Sequence, residues 1–536
     1  VTGQPAAASD ARIVLLTLAA GQFLMALDTS VMNVSIATVA GDLGTTITGV
    51  QSAIVLYTLV MAMLMVTGGK IGSLIGRKRA FGIGLVIYCS GSLTTSLAPN
   101  LTVLLIGWSL LEGIGASLIM PAIVALVAGN VGPAGRPRAY GLIGAAGAIA
   151  VAAGPLIGGL ATTYASWRLV FAGEVVLGAG ILFFGRRVVN APVTERPRLD
   201  VFGALLWAAA MGLMVYGVLR SSDWGWIVPA EGGPSVLRMS PVVWLVLAGL
   251  ALIWLFMVHA RHREERGAEP LVSPSLFRNQ QLTGGLVMFF FQFLVMMGLF
   301  FTIPLYLSVA LGLSAIETGV RLLPLSVTML LAAVGVPKFL PTVSPRRVVV
   351  AGLLLIAVGI AVLFVAVDVD ATEQAVFVPL LLAGLGLGAL ASQLGSVTVS
   401  AVPDDQSPDV GGLQNTSSQF GASLGTALAG SVLIASLTAS FLTGIAENPA
   451  VPPSVVSQAN VQLASGAEFI SDADLEAALQ QAGVEEQTAQ EIVDENARAR
   501  VDGLRSALAL LAILTVAALL FASRIPTRQP GASSPT

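Results

Sequence analysis

The stretch "GGKIGSLIGRKR" (Gly68–Arg79) decides how the chain is read. It closes one long apolar run and opens the next, turning between them through a glycine-rich and strongly basic corner. A helix needs about 20 apolar residues to cross the hydrocarbon core of a bilayer. Lys and Arg collect in the cytoplasmic loops between such helices. The stretch therefore reads as a cytoplasmic turn between two membrane helices.

The same pattern repeats outward in both directions. Of the 536 residues, 55% are hydrophobic and 11% charged, with a mean hydropathy of +0.86. A soluble domain carries about 25% charged residues. The deficit runs the length of the chain, so the expected fold is an all-α polytopic membrane protein. Fourteen spans are predicted, at 14–36, 50–72, 80–98, 102–130, 138–162, 169–186, 202–220, 240–260, 282–308, 318–340, 347–367, 375–401, 411–443 and 504–523. The segments after the even-numbered spans carry "GRKR", "GRPR", "ERPR", "RHREER" and "SPRR", and Arg524 and Arg528 follow the last span. The alternate loops are short or acidic, such as "DVDATEQ". This alternation places both termini in the cytoplasm. The acidic "PDDQSPD" after the twelfth span is the exception.

The remaining composition excludes several classes. Net charge is −3, and charge placement matters more than its sum in such a chain. Cys89 is the one cysteine, so no internal disulfide forms, and His259 and His262 with it are too few for a metal cluster. No GxxxxGK[ST] loop is present, and no segment gathers nucleophile, base or metal residues. The chain is thus expected to be no enzyme, to hold no metal or other cofactor, and to bind no nucleic acid. No separate secretory signal precedes the first apolar run, which is expected to remain as a helix. Residues 444–503 are the one long external loop, and "SDADLEAALQQAGVEEQTAQEIVDENARAR" within it reads as helical with Ser471 as N-cap. An internal echo supports two related halves: Lys70–Ile87 and Lys338–Leu355 each join two apolar runs through a basic turn.

Several motifs in order make the chain resemble the 14-helix drug:proton antiporter branch of the major facilitator superfamily. "LDTSVMNVSIATVAGDL" puts Asp28 and Asn33 on the branch's first-helix signature, and Tyr57 falls on a usual Tyr. The opening loop matches at Gly69, Gly72, Gly76, Arg77, Lys78 and Arg79, but Ser73 stands where the family has Asp. "AIAVAAGPLIGG" matches the antiporter motif at Gly154, Pro155, Gly158 and Gly159. "SWRLVF", "LGLSAIETGVRLLPL" and "LQNTSSQFGASLGTA" resemble segments of helices 6, 10 and 13. In "WSLLEGIGAS", Ser109 and Glu112 replace the family's Arg and Gln.

The resemblance implies a cytoplasmic tail (1–13), a six-helix bundle (14–186), two additional helices with a linker (187–281), a second six-helix bundle (282–523) and a cytoplasmic tail (524–536). It implies a monomeric, multi-pass protein of the bacterial cytoplasmic membrane, powered by a proton gradient. Its partners are protons, membrane lipids and an amphiphilic small molecule. Proton coupling or cation binding falls to Asp28 and Glu112 in cavity-lining helices; the alternatives are a structural acid at Asp28 and a protonated Gln substitute at Glu112. An ionised group deep in a membrane helix costs a few kcal/mol or more, so each needs a partner, water or a proton. Asn415 and Gln419 offer polar contacts in the cavity or bonds between helices. Glu174 is expected to snorkel or to pair with Arg168, and Arg321 to pair with Glu317, with an accessory role at the site as the alternative for each. "MFFFQFLVMMGLFF" (Met288–Phe301) is a packed or lipid-facing helix, or else a soft wall for bulky ligands. The expected function is export of amphiphilic, cationic lipophilic compounds by alternating access. A native lipid or other neutral hydrophobic compound is the second reading, and a non-transporting sensor the third. Without the loop aspartate, the inner latch is expected to be weak, with Asp404 and Asp405 as substitute partners for Arg77, Lys78 and Arg79.

Overall fold

In a membrane every backbone N–H and C=O must be paired within the protein, which leaves the helix as the economical element for such apolar runs. A computed structural model describes residues 8–131, 136–190, 199–230, 233–369, 371–402, 407–462 and 469–527. Among them the chain is helical with no strand. The first six long helices are α1 (Ala8–Asp42), α2 (Ile47–Ile75), α3 (Arg77–Ser96), α4 (Leu101–Leu104 continuing to Asn130), α5 (Arg136–Tyr164) and α6 (Arg168–Gly185). Then come α7 (Val201–Leu219) and α8 (Pro241–Glu265). The last six are α9 (Gln280–Leu305), α10 (Ala315–Phe339), α11 (Pro345–Ala366), α12 (Phe377–Val399), α13 (Ser407–Glu447) and α14 (Glu486–Leu519).

Thirteen of these helices are long and apolar enough to cross a membrane. The other is α3, with three basic residues at one end and "SGSLTTS" at the other, lying alongside α4 and α6. The expected last span, 504–523, begins earlier: α14 starts at Glu486 and carries "EQTAQEIVDENARAR" as its first turns, projecting beyond the apolar part. Ser471 is an N-cap as expected, its hydroxyl accepting from the Asp474 N–H at 3.2 Å, but its helix is short, Asp472–Gln481. Buried Arg500 holds that segment down, donating to the carbonyls of Val309 (3.2 Å) and Ile470 (2.9 Å) and pairing with Asp472.

The two sets of six helices meet along two seams. In one, α2 lies against α13: Gln51 Nε2 donates to the Thr426 carbonyl (3.0 Å), and Ser423 Oγ to that of Val55 (3.0 Å). In the other, α5 crosses α10. Helix α7 packs on both α2 and α13, and the Ser431 hydroxyl donates to the Val218 carbonyl at 2.9 Å. Helix α8 lies outside it with Leu247, Leu250 and Trp254 exposed, a surface suited to lipid.

One polar corner ties this pair to the linker that follows. The buried Asp200 carboxylate caps α7, accepting from the Gly203 N–H at 3.0 Å. It also takes the His259 ring at 2.9 Å and the Leu271 N–H at 3.3 Å, with the Arg263 guanidinium 3.6 Å away. Burial works against its charge. Hydrogen bonds from His259 and Gly203, with the charges of His259 and Arg263, outweigh burial and hold the carboxyl below its usual range. A depressed carboxyl stabilises the fold above its unfolded pKa of about 3.9, and that contribution fades as pH falls through the folded value. Asp200→Ala is expected to lower stability at pH 7 by about 1–3 kcal/mol. The deficit should shrink below about pH 4; thermal melts of both proteins across pH 3–8 measure it.

Candidate functional site

Close approach of α3 and α4 builds the first part of the site. A methyl group at Gly91 would overlap the Glu112 side chain and the Gly107 carbonyl, so this seam tolerates only glycine. At the same seam α4 is π-helical over Leu105–Glu112, a widened turn of a kind often found at functional sites. The seam brings Tyr88, Ser92 and Thr95 of α3 against acids from three other helices.

Those acids are Asp28 (α1), Glu112 (α4) and Glu174 (α6), each at most 2% exposed. One oxygen from each lies within 4.8 Å of the others. Trp108 Nε1 donates to Asp28 Oδ1 at 2.8 Å, and Thr95 Oγ1 to Glu112 Oε1 at 3.2 Å. Glu174 Oε2 accepts from the Tyr88 hydroxyl (3.1 Å) and from Ser92 Oγ (3.2 Å). The Tyr57 ring stacks on Trp108, centroids 5.0 Å apart and planes 11° from parallel. Asp28, Glu112 and Tyr57 thus come together as a group, and Glu174 joins them. Glu174 neither snorkels nor meets Arg168. The Arg168 guanidinium instead bonds Asp42 (3.0 Å) and the Ala98 carbonyl (3.0 Å), tying the start of α6 to the end of α1. Arg321 pairs with Glu373, because Glu317 is taken by the capping box it forms with Ser314. The Ser109 hydroxyl, in place of the family's Arg, donates to the Ala53 carbonyl at 2.8 Å.

A cavity of about 350 Å³ lies between the two sets of helices. The acids do not line it. Asn33, Asn415 and Gln419 do, with Gln22 and Gln292 as further amides. Its apolar wall comes from Phe289, Phe293, Met296, Met297 and Phe300, so the Phe- and Met-rich stretch of α9 faces the cavity. Among the described residues the lining carries no charged side chain. Gln22 and Gln292 escape sequence reading because glutamines in apolar helices carry no motif.

The antiporter-motif glycines serve two contacts. Gly154 and Gly158 seat Ser30 and Val31 of α1. Gly159 lies against Ala315 and Ile316, and Gly319 of α10 against the Pro155 carbonyl. The Ile316 N–H donates to Thr163 Oγ1 at 3.0 Å. This closes α5 on α10 at the end away from the basic loops. Toward the basic end the same helices expose Leu142, Ile149, Val327, Leu331 and Val334.

In the opening loop Gly76 takes φ +99°, a conformation suited to glycine. The turn sends Arg77 back onto α2, where it donates to the Gly69 carbonyl (2.7 Å) and to Ser73 Oγ. Gly72 packs beside the Arg77 side chain. The Lys78 ammonium donates to the Arg186 carbonyl at the end of α6 (2.7 Å), and Arg79 is exposed. Asp404 and Asp405 lie outside the described residues.

Comparison with known proteins agrees with this architecture. The family model of the Major Facilitator Superfamily matches residues 18–426. The tetracenomycin C resistance and export protein of Streptomyces glaucescens is 30% identical over 79% of this chain and 76% of its own length. The puromycin resistance protein pur8 of Streptomyces alboniger is 30% identical over 81% and 84%. Among solved structures, a bacterial homolog to the human lysosomal transporter Spinster superposes with a TM-score of 0.61 at 15% identity, covering 98% of this chain and 100% of that one.

The α5–α10 contact yields a direct test. Gly319→Leu would drive a side chain into the Pro155 carbonyl and is expected to weaken closure at that end by about 1–3 kcal/mol. Spin labels at Leu160 and Val320 should then report a longer distance. Gly335→Leu, which meets only Phe339 of its own helix, should leave it unchanged.

Proposed function

The chain belongs to the major facilitator superfamily of membrane transporters, and on that premise we propose that it exports amphiphilic drug-sized compounds across the bacterial cytoplasmic membrane in exchange for protons. The observation that carries this reading is a separation: an uncharged binding cavity lies between the halves, while a cluster of three buried carboxyls lies within the first half.

The cavity falls in the size range of small-molecule sites and has their chemistry: apolar walls with a few placed polar groups. Methionines repack around differently shaped ligands, and the amides offer both donors and acceptors. Because its lining is uncharged, charge attraction is not its means of selection. This favours neutral or weakly charged amphiphiles over obligate lipophilic cations. Relatives named for resistance to puromycin and for tetracenomycin C export support a drug or antibiotic as substrate.

Coupling would run through α1. Asp28 faces the acid cluster on one side of this helix, while Met25, Thr29 and Asn33 face the cavity. A further part of the same helix, Ser30 and Val31, is seated on the α5 glycines, and α5 forms the closure with α10. Loss or gain of protons at Asp28 and Glu112 changes the cost of keeping them buried and so biases the position of α1. That bias passes to α5 and decides which end of the cavity is closed. No cofactor is needed, since the proton gradient supplies the energy.

Proteoliposomes with an imposed pH gradient test the reading, using puromycin as probe. One pH unit with one proton exchanged supports about tenfold accumulation. The wild type is expected to accumulate puromycin against its gradient, and Asp28→Asn with Glu112→Gln only to equilibrate it. Uphill transport by the double variant would refute the coupling role.

A further inference from the structure

The three carboxyls share an arrangement that proton binding alone does not require. Each has one oxygen fixed by a hydrogen bond from Trp108, Thr95, or Tyr88 with Ser92. The second oxygen of each, Asp28 Oδ2, Glu112 Oε2 and Glu174 Oε1, is buried with no hydrogen-bond partner. A fourth oxygen, the Tyr57 hydroxyl, is fully buried beside the Asp28 carboxyl and held by its stacking on Trp108, without a hydrogen bond of ordinary geometry. A buried polar atom left unpaired is costly, so four in one place mark a position where something binds.

We propose that these three carboxyls, with the Tyr57 hydroxyl beside them, form a binding site for a small hard metal cation of sodium or calcium size. Size is the first argument. Ligands on opposite sides of an ion with bonds of about 2.3–2.6 Å are about 4.6–5.2 Å apart. One oxygen from each carboxyl lies within 4.8 Å of one from each of the others, so one such ion can span all three. Ligand type is the second: an all-oxygen set selects hard cations over those preferring sulfur or imidazole. Charge is the third. Among the described residues no cationic side chain bonds to these carboxyls. Three carboxylates around a monovalent ion leave room for two protons, and around a divalent ion for one, before the group is neutral. A monovalent ion thus takes the place of one of the three neutralising protons, and a divalent ion of two.

The inference rests on the reading of this cluster as the ion-handling part of the transporter, and its test separates the two. Purified protein in detergent would be melted at pH 8.5 in sodium, calcium or choline chloride at equal ionic strength. A metal that binds the folded protein raises the melting temperature by about 3 °C or more relative to choline. Which salt acts identifies the ion. Glu174→Gln and Tyr57→Phe should each raise the half-saturating metal concentration at least tenfold. Their melting in choline shows that they fold, and either variant alone suffices if the other does not. Equal melting of the wild type in all three salts at pH 8.5 would overturn the proposal, as would a metal shift unchanged in both variants. If the salts have no effect but pH-driven puromycin accumulation persists in choline, only the metal site falls. If the metal shift stands but a pH gradient drives no accumulation, the coupling reading falls instead.

Discussion

Three acids buried side by side inside a membrane protein, without a cationic partner in their hydrogen-bond network, set the terms for the rest of the first six helices. An ionised carboxyl at bilayer depth costs a few kcal/mol or more, and three together repel one another. The surrounding structure answers that cost with donors. Trp108, Thr95, Tyr88 and Ser92 each turn an N–H or O–H onto one side of the cluster. Their placement depends on how closely α3 approaches α4, which in turn depends on Gly91 and Gly107. The π-helical turn of α4 sits at the same level, and the Tyr57–Trp108 stack lies beside Asp28. Small residues, a widened turn and an aromatic pair thus serve one purpose: to hold acids where bulk water does not.

Separating the acids from the cavity changes what each must do. A cavity with charged walls selects by charge, whereas this one offers phenylalanines, methionines and amides. The acids, set apart from the cavity, contribute nothing to its lining. Helix α1 belongs to both and also lies in the groove of the α5 glycines. Closure between α5 and α10 uses backbone against backbone at Gly159 and Gly319, where a shift of an ångström decides between contact and clash. A small displacement of α1 is therefore enough to matter at the seam.

Much of this was legible in the sequence, and the reasons are physical. Bilayer thickness and the demand for paired backbone force long apolar runs, so the helices could be counted from "VLYTLVMAMLMV" and its like. Their ends were less legible. The polar run Glu486–Arg500 continues α14 because helix formation needs no apolar face where the chain projects past the membrane. Asp28, Glu112 and Tyr57 could be picked out by their rarity in such runs. Their partners could not: Glu174 meets Asp28 across α1 and α6, and nothing in "FAGEVVLG" states which neighbour a side chain will find. The pairing of Arg321 with Glu373 was likewise hidden, since Glu317, one turn away in sequence, was already engaged as a cap. Local spacing proposes partners, and tertiary packing chooses among them.

The loop that first pointed to the fold also shows where its basic residues go. With Ser73 in place of an acid, Arg77 turns back on its own helix and donates to the Gly69 carbonyl and the Ser73 hydroxyl. A cation there is favoured by the negative end of the α2 dipole. Lys78 does the same for the end of α6, so the basic corner stitches helices of the first half together. At this end the two halves are joined by an apolar cluster in which Val66 of α2 meets Val410 and Leu413 of α13, with Leu271 and Val272 of the linker and Leu282 and Leu286 of α9. Apolar burial is non-directional and gives way by degrees, unlike an ion pair that is either made or broken. The linker enters this cluster at Leu271, whose N–H is held by Asp200 at the start of α7. The additional helices thereby gain a structural role in this protein: they anchor one wall of the contact between the two halves at this end.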